Sequence, residues 1–290
     1  MNCLAQESGD NWTLFHGDCI EVMKGLPDAS VDYSIFSPPF ASLYTYSNSP
    51  RDLGNCRTAE EFFEHFAFVI AELRRVMKPG RDVSFHCMLL PTSKERDGYI
   101  GLRDFRGDLI RAFKGHGFIH HSEAVIWKDP VTAMQRTKAL GLLHKTVRGN
   151  AAMSRQGIPD YLVTMRMPGE CENRVIHDPK QYPVDKWQKI ASPIWMDIDP
   201  SDTLQYQSAR EHDDERHICP LQLEVIRRGI DLWTNAGDVV LSPFAGIGSE
   251  GHVALELGRK FVGIELKDSY LRQAALNMKA AKRQDDLFAA

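Results

Sequence analysis

The chain lacks the features that would direct it to a membrane, to secretion or to a metal. No apolar run in its 290 residues approaches the roughly 18 that a membrane span requires, and its first residues show no basic-then-apolar signal pattern. The six cysteines lie far apart without a C-x-x-C pair, which argues against a zinc site and for reduced thiols. These absences predict a cytoplasmic protein that holds no metal.

An excess of positive charge is also missing, since the net charge is −4 and the mean hydropathy is −0.34. A hydrophobic content of 43% is typical of a soluble globular protein. At this length the chain can bury one large core, or one core with an inserted lobe. Composition and net charge therefore indicate no particular function, whereas local motifs do.

Ser37-Pro38-Pro39-Phe40 is the most informative of these motifs. It follows Val31–Phe36, an apolar-rich run that predicts a short buried strand. Proline fixes φ and donates no backbone N–H, and the residue before it is driven toward extended geometry. Carbonyl oxygens in such a corner therefore stay available to a planar ring that carries an amino group. A Pro-Pro turn that merely caps the strand is the alternative interpretation.

The second motif is a glycine-containing turn, Ser242-Pro243-Phe244-Ala245-Gly246-Ile247-Gly248-Ser249. A buried strand is predicted before it, over residues 238–241, and a helical pattern follows it. Strand, glycine turn and helix in this order are typical of a nucleotide site. About 17 residues later, Glu265 ends another predicted strand, where an acid can bind both ribose hydroxyls. A phosphate loop is the runner-up, although no Gly-Lys-Ser/Thr follows the turn, and a dinucleotide fold is also open.

Together the two motifs resemble those of the amino-methylating DNA methyltransferases that use S-adenosylmethionine. That family's catalytic tetrapeptide, Asp/Asn/Ser-Pro-Pro-Tyr/Phe/Trp, is matched by residues 37–40. Its cofactor loop, Asp/Ser-Pro-Phe-x-Gly-x-Gly, is matched by residues 242–248. The tetrapeptide precedes the loop, which is the order of the β group, a circular permutation of the methyltransferase sheet. In that group the region between the motifs contains the target-recognition segment.

The resemblance also implies which residues form the site. The implied catalytic residues are Ser37, Pro38, Pro39 and Phe40. His217 and Pro220 match a segment that covers the methionine end of the cofactor, and Asp18 with Cys19 matches a segment whose Asp contacts the adenine. The implied S-adenosylmethionine site consists of Asp18, Cys19, His217, Pro220, Ser242, Pro243, Phe244, Ala245, Gly246, Gly248, Ser249 and Glu265.

The implied fold is a Rossmann-like α/β methyltransferase sheet, mostly parallel with one antiparallel strand, circularly permuted and carrying an inserted region. Strands and helices that alternate along the chain agree with it. We expect a catalytic half over residues 1–128, the target-recognition insert over 129–210, and the cofactor half with a C-terminal helix and tail over 211–290. The insert is expected to include a sheet-edge strand at about 160–167 and an irregular lobe over 168–210.

Local patterns predict the elements between the motifs. The predicted helices cover residues 58–77, 102–114, 221–233 and 267–282, and the predicted strands include residues 82–88 and 118–127. The interpretation requires the prolyl corner and the glycine turn to face each other across one crevice. His86 and Cys87 end a predicted core strand, and we expect them to pack rather than to catalyse.

Double-stranded DNA is the expected partner. No Asp or Glu occurs between residues 131 and 155, so this stretch can face phosphates although the whole chain is acidic. The residues expected to contact DNA are Arg136, Lys138, Lys145, Arg148 and Arg155. A solvated helical face is the alternative interpretation of the same stretch.

The prolyl corner suggests how an amino group is methylated. The exocyclic amino group of cytosine or adenine is a poor nucleophile, because its lone pair is delocalised into the ring. The Ser37 hydroxyl and the Pro38 carbonyl are candidates to accept its two N–H bonds, which would expose the lone pair for direct in-line attack. Phe40 would stack on the flipped base.

The first residue of the tetrapeptide bears on the target base. Family members with Ser there mostly methylate cytosine N4, whereas Asp usually marks adenine N6. We therefore expect a cytosine-N4 enzyme, with an adenine-N6 enzyme as the alternative. An RNA or small-molecule methyltransferase and an inactive DNA-binding module are more distant alternatives. Methylation at cytosine C5 is not expected, because the chain has no Pro-Cys pair to supply a thiolate.

The C-terminal residues Gln284 to Phe288 suggest a further partner. They resemble the Q-x-x-L-F peptides with which bacterial replication proteins bind the sliding clamp, and packing against the chain's own core is the alternative. Relatives in the β group are often dimers, which leaves a homodimer open. The protein is expected to be bacterial or phage-encoded and intracellular.

Overall fold

One mixed sheet organises the structure, a computed structural model that describes residues 2–39, 53–56, 58–131, 134, 143–180, 182–205 and 220–288. Within these residues the strands are β1 (Ala5–Gly9), β2 (Trp12–His16), β3 (Val31–Phe36), β4 (Met77–Met88), β5 (Leu90–Pro91), β6 (Leu102–Arg103), β7 (Ile119–Ile126), β8 (Asp160–Arg166), β9 (Ile194–Trp195), β10 (Val239–Ser242) and β11 (Lys260–Glu265). The helices are α1 (Cys19–Met23), α2 (Ala59–Val76), α3 (Lys94–Asp97), α4 (Phe105–Gly115), α5 (His144–Asn150), α6 (Val184–Ala191), α7 (Leu223–Trp233), α8 (Ser249–Glu256) and α9 (Asp268–Phe288).

The strands of the main sheet lie in the order β1-β2-β11-β10-β3-β4-β8-β7-β9, while β5 and β6 pair separately. The five central strands are mutually parallel, in the spatial order β2, β11, β10, β3 and β4. β8 runs antiparallel between β4 and β7. The predicted α/β sheet, mostly parallel with one inserted antiparallel strand, is therefore confirmed. A second antiparallel strand, β1, pairs with β2 at the other edge of the sheet.

The far edge of the sheet differs from the prediction. The sequence predicts an edge strand at residues 160–167, but β8 lies inside the sheet, and the edge strand is β9, which runs parallel to β7. The segment 168–210 is correspondingly less irregular than expected, because it contributes α6 and β9. β9 has only two residues, too few for an alternating pattern to be visible in the sequence.

Helices cover both faces of the sheet. Successive residues of a strand point to opposite faces, so Ile35 and Val240 join the apolar cluster beneath α7, α8 and α9, whereas Phe36 and Leu241 join the cluster beneath α2 and α4. The strands in the middle of the sheet are therefore apolar throughout, as expected for a sheet buried on two sides. Within the described part of the chain, every helix is too short or too polar to span a bilayer.

Local chemistry sets several element boundaries. The side chain of Thr58, the residue at which the sequence predicts this helix to begin, caps α2. The side chain of Asp104 caps α4, so this helix begins at Phe105 and not at residue 102. β4 begins directly after α2, five residues before the predicted residue 82; there Gly80 adopts a φ of +70°. α9 extends through residue 288, beyond the predicted end at 282.

Strands from the two ends of the chain are neighbours at the centre of the sheet, where β3 pairs with β10. Leu241 lies opposite Ser34, and the Ser34 hydroxyl donates to the Leu241 carbonyl over 3.0 Å. The carboxylate of Asp32 accepts the Val239 N–H over 3.0 Å. Two side chains of β3 thus bond the backbone of β10 and hold the register. Residues 1–128 and 211–290 consequently share one sheet.

A buried ionic cluster ties the amino ends of β3, β4 and β10. Arg81 is 2% exposed and lies 3.1 Å from a carboxylate oxygen of Asp32 and 3.0 Å from one of Asp238. Lys78 forms a third contact, 2.8 Å from Asp32. Two carboxylates buried this closely depend on the cations for charge compensation.

Replacing the buried cation is expected to destabilise the fold. In Arg81→Leu, the carboxylates of Asp32 and Asp238 lose their shared partner, and we expect the free energy of unfolding to fall by roughly 3–5 kcal/mol. Urea denaturation followed by circular dichroism measures the change. The matched control is Arg111→Leu, which removes an exposed pair with Asp108 and is expected to cost less than about 1 kcal/mol. Equal losses in both variants would contradict this account.

Candidate active site

The predicted motifs meet at the carboxyl edge of the sheet. Because β2, β11, β10 and β3 are parallel neighbours, the residues that follow them lie side by side. Asp18 comes after β2, Glu265 ends β11, Pro243 follows β10, and Ser37 follows β3. Ligands of open α/β sheets bind in the crevice outside these strand ends. The expected meeting of the prolyl corner and the glycine turn is therefore observed, although the chain separates them by about 200 residues.

Contacts between side chains agree with this placement. The ring of Phe36, the last residue of β3, has its centroid 5.7 Å from that of Phe244 in the glycine turn. Phe244 also stacks on Phe66 of α2, with a centroid distance of 6.4 Å and an interplanar angle of 19°. The prolyl corner is compact, since Pro38 and Pro39 are buried. Packing among these aromatic rings holds the prolyl corner and the glycine turn close together.

The glycine turn needs its glycines for backbone conformation. Gly246 and Gly248 adopt φ values of +52° and +85°, a region that other residues rarely enter. A Cβ on Gly248 would also lie 2.9 Å from the Met278 side chain and 3.1 Å from that of Ala274. At Gly246 nothing lies within 4 Å of such an atom. One glycine therefore allows α8 to pack against α9, and the other leaves backbone facing open space.

Glu265 holds the glycine turn in place. One carboxylate oxygen accepts the Gly246 N–H over 2.8 Å, and the other accepts the Lys267 N–H over 2.8 Å. Its own carbonyl accepts the Gly17 N–H over 2.9 Å. The carboxylate predicted to bind a ribose thus lies within the crevice, next to the open backbone of Gly246.

Two predicted cofactor residues have structural tasks. Asp18 caps α1, because its Oδ1 accepts the N–H groups of Ile20 and Glu21 over 3.0 and 3.1 Å. Burial, and then the neighbouring Asp18 charge, raise the pKa of the Cys19 thiol far above its usual range. Cys19 is therefore a neutral packing side chain, and contact with a cofactor stays a prediction for both residues.

The rest of the predicted cofactor turn is largely buried. Ser242, Ala245 and Ser249 are each at most 4% exposed. Within the described residues, the buried hydroxyl oxygen of Ser242 has no hydrogen-bond partner. A buried hydroxyl without a partner is costly in a native structure, so Ser242 offers a polar atom that a ligand could satisfy.

Glu250 was not anticipated by the sequence. It follows the glycine turn in the first turn of α8 and is 5% exposed. Burial, together with the nearby negative charge of Glu265, raises its pKa to about 8. An acid in the first turn of a helix is ordinarily a solvated residue that complements the helix dipole, so the sequence contained no signal for its burial.

His86 was likewise unexpected in this place. Its Nδ1 lies 3.2 Å from the hydroxyl oxygen of Ser37, and its Nε2 lies 2.9 Å from Asp160. The sequence interpretation treats His86 as a packing residue of β4. It is indeed 9% exposed, but its ring joins the predicted catalytic serine to a buried carboxylate on another strand.

A small apolar cluster includes Ile247 of the glycine turn. Ile247 and Tyr270 are buried against each other, and Leu204 packs on them. The sequence offered no reason to join the segment around residue 204 to the cofactor turn. Within the described segments, no set of three or more His, Cys, Asp and Glu side chains is arranged to hold a metal ion.

Several predicted site residues lie outside the described part of the chain, namely Phe40, Arg136, Lys138 and His217. Pro220 is half-buried just before α7. Lys145 and Arg148 belong to α5, and Arg148 is exposed. Arg155 is half-buried and donates to the Gly101 carbonyl, so its guanidinium already serves a contact within the chain.

Residues 31–276 match the family model N6_N4_Mtase, described as DNA methylase. The Type II methyltransferase M.BglII of Bacillus subtilis is 24% identical over 263 residues, which cover 89% of this chain and 66% of that protein. The DNA adenine methyltransferase YhdJ of Escherichia coli K12 is 25% identical over 275 residues, which cover 93% of this chain and 83% of that protein.

Solved structures show the same fold. The protein TTHA0409 of Thermus thermophilus, in complex with S-adenosyl-L-methionine, superposes with a TM-score of 0.68 at 21% identity, covering 93% of this chain and 95% of the other. The PvuII DNA methyltransferase, described as cytosine-N4-specific, superposes with a TM-score of 0.68 at 15% identity, covering 97% and 94%. At these identities the likeness shows a common fold.

The buried Glu250 carboxyl is expected to make stability depend on pH. Its pKa of about 8 in the folded protein exceeds the ordinary 4.5, so the native state keeps a proton that the unfolded chain releases. The contribution of this carboxyl to the free energy of unfolding is therefore fully present below about pH 4.5, and it is lost as the pH rises toward 8. Glu250→Gln should remove this loss, which is on the order of a few kcal/mol at pH 8.

Urea denaturation of the protein without added ligands between pH 5 and pH 9 measures this dependence. Glu95→Gln is the matched control, since Glu95 is exposed on α3, and it should reproduce the wild-type curve. Parallel curves for the wild type and Glu250→Gln would show that the carboxyl carries no shifted proton.

Proposed function

Because the chain belongs to the N6_N4_Mtase family of DNA methylases, we propose that it transfers a methyl group from S-adenosylmethionine to the exocyclic N4 of a flipped cytosine in double-stranded DNA. The transfer is a direct in-line attack without a covalent enzyme intermediate. One observation carries the proposal: the pairing of β3 with β10 sets Ser37 beside the glycine turn. A methyl acceptor and a methyl donor held there would be neighbours.

The residues of the crevice fit a nucleoside cofactor. Glu265 provides a carboxylate for ribose hydroxyls, and the open backbone at Gly246 allows close approach. Ser242 contributes a hydroxyl without a partner among the described residues, and Phe244 forms an apolar wall. S-adenosylmethionine, when bound, supplies a methyl group activated by its sulfonium. The other residues proposed to hold it are Asp18, Cys19, His217, Pro220, Pro243, Ala245, Gly248 and Ser249.

The prolyl corner receives the target base. Ser37 and the Pro38 carbonyl accept the two N–H bonds of the amino group, so that the nitrogen lone pair turns toward the methyl donor. Phe40 stacks on the ring, which offsets part of the cost of extruding the base. Orientation of the reacting atoms supplies much of the acceleration, for which well-placed groups contribute about 7–11 kcal/mol.

Cytosine is the proposed base because the tetrapeptide begins with a serine. A short, neutral hydroxyl accepts a weaker hydrogen bond from the amino group than the charged carboxylate that usually marks adenine-N6 enzymes. Adenine N6 is the second candidate, and the similarity to the adenine methyltransferase YhdJ favours it. The similarity to a Type II methyltransferase supports DNA modification beside a restriction enzyme as the setting.

The insert is the proposed DNA-binding and target-recognition region. β7 is parallel to the central strands, so the chain leaves it at the same edge at which Ser37 lies, and it returns through Asp160 at the start of β8. Arg148 is exposed on this insert and is available to a phosphate. Arg155 is a weaker candidate because it already bonds Gly101. Arg136, Lys138 and Lys145 complete the proposed set.

We retain the proposed division into a catalytic half (1–128), an insert (129–210) and a cofactor half (211–290), whose two halves complete one sheet. Sliding-clamp docking through residues 284–288 stays a prediction of the sequence, as does a homodimer. The backbone of residues 284–288 is helical, and their side chains lie outside the described set.

The identity of the methylated nucleoside tests the proposal directly. Purified protein is incubated with S-adenosylmethionine and unmethylated plasmid DNA, and the DNA is digested to nucleosides for mass spectrometry. We expect 4-methylcytosine. Finding 6-methyladenine instead would replace the proposed base and keep the mechanism, and finding methylation of RNA but not of DNA would refute the proposed substrate.

Loss of the acceptor at the prolyl corner is expected to slow methyl transfer. Ser37→Ala should lower the single-turnover rate on the order of 100-fold, the usual effect of removing one oriented hydrogen-bonding group. Calorimetry should show unchanged binding of S-adenosylmethionine. The matched control is Ser8→Ala, an exposed serine of β1, which should keep full activity. Undiminished turnover in Ser37→Ala would remove Ser37 from the mechanism.

A further inference from the structure

Four side chains from separate parts of the sheet form a continuous chain behind the prolyl corner. Ser37 Oγ lies 3.2 Å from His86 Nδ1, and His86 Nε2 lies 2.9 Å from Asp160 Oδ2. The Lys128 ammonium contacts the same Asp160 oxygen. These residues come from the end of β3, from β4, from the start of β8 and from the segment after β7, which the strand order brings together.

Burial and charge define the protonation of this chain. Asp160 is 2% exposed. Burial by itself would raise its pKa, but the contacts with His86 and Lys128 outweigh that effect and lower it. Asp160 is therefore ionised and can only accept hydrogen bonds. In its neutral form, His86 donates its Nε2 proton to this carboxylate, because one nitrogen of a neutral imidazole donates and the other accepts.

The tautomer of His86 then orients the serine. With the proton on Nε2, Nδ1 presents a lone pair, and the Ser37 hydroxyl donates to it. The remaining lone pairs of Ser37 Oγ are left for an incoming N–H bond. A serine without such a partner would rotate freely and would donate as readily as it accepts.

We propose that His86, Asp160 and Lys128 are positioning residues that turn the Ser37 hydroxyl into a committed acceptor and carry away the proton released by amino methylation. This inference rests on the proposed function and deepens it. The protein would thereby achieve with a neutral serine what a carboxylate in the same position does by its charge.

The proton and electron balance is complete without a further reactant. The amino nitrogen forms a bond to the methyl carbon as the carbon–sulfur bond breaks, and the electron pair of that bond stays on sulfur. The nitrogen then carries one surplus proton. That proton passes to Ser37 Oγ while the Ser37 proton passes to His86 Nδ1. The resulting imidazolium is stabilised by Asp160 and later loses its proton to solvent.

The competing explanation is that the hydrogen bond between His86 and Asp160 only stabilises the fold. His86 and Asp160 lie on the adjacent antiparallel strands β4 and β8, and their bond could serve only to join these strands. In that case the tautomer would be of no consequence for Ser37. Removing His86 would lower stability without a selective effect on methyl transfer.

The tautomer can be measured on the ligand-free, full-length protein, independently of activity. Nitrogen-15 NMR of the histidine rings, with His86 assigned by comparison with His86→Gln, should show the proton on Nε2. In Asp160→Asn the preference for Nε2 should weaken, because the carboxylate charge is gone. A proton on Nδ1 in the wild type would overturn the proposal.

Kinetics provide the second test. In single-turnover methylation of DNA, His86→Gln should slow the transfer step on the order of 100-fold, with binding of S-adenosylmethionine unchanged by calorimetry. The double variant Ser37→Ala/His86→Gln should be no slower than Ser37→Ala, because both changes interrupt one chain. The matched control is His177→Gln, which removes a ring bonded to the Leu232 carbonyl and should leave the rate unchanged.

The outcomes separate the two levels of the proposal. Full activity in His86→Gln, or losses that multiply in the double variant, would refute the relay and leave the proposed function intact. An inactive wild type would refute the proposed function, whereas the Nε2 tautomer would still support the orientation of Ser37. A loss of cofactor binding and thermal stability in His86→Gln, combined with the Nδ1 tautomer, would identify a structural pair.

Discussion

The parallel pairing of β3 with β10 is the contact on which the rest of the site depends. The strands come from opposite ends of the chain, and only their adjacency brings the prolyl corner to the glycine turn. A slip by one residue would exchange the buried faces of a strand. Asp32 and Ser34 oppose such a slip, because each bonds a defined backbone group of β10. The register of two strands thus decides where a methyl donor and an acceptor could meet.

The central strands have a buried ionic cluster at their amino ends and the proposed active site at their carboxyl ends. At their amino ends, Arg81 is buried between the carboxylates of Asp32 and Asp238. No ligand site is proposed at this end of the strands. At their carboxyl ends, left-handed glycines and prolines replace regular structure, and the backbone beside Gly246 has no side chain to prevent close approach. Burial of these charges is tolerated because the guanidinium lies within ion-pair distance of both carboxylates. The site itself depends on side chains such as Glu265, which hold the turn and also face the crevice.

Several residues of the site therefore have more than one task. Asp18 caps a helix, and Phe244 belongs to the aromatic core as well as to the proposed cofactor wall. The chain of Ser37, His86 and Asp160 differs, because its members bond side chain to side chain. Its geometry follows from the order β3-β4-β8, in which an antiparallel strand places its first residue beside the last residues of β4. Insertion of that strand into the sheet connects the proposed recognition insert to the prolyl corner.

The sequence alone determined what acts locally: the prolyl corner, the glycine turn, the Thr58 cap and the alternation of strands and helices are properties of neighbouring residues. It also allowed the mostly parallel sheet to be predicted. Only the tertiary structure decided the contacts of His86 and Asp160 and the burial of Glu250, because these arise from other strands and helices. His86 and Asp160 are 74 positions apart. No short-range sequence pattern predicts that their strands become neighbours. The physical reason is that side-chain contacts across a sheet depend on strand order and register, which the whole folded chain sets.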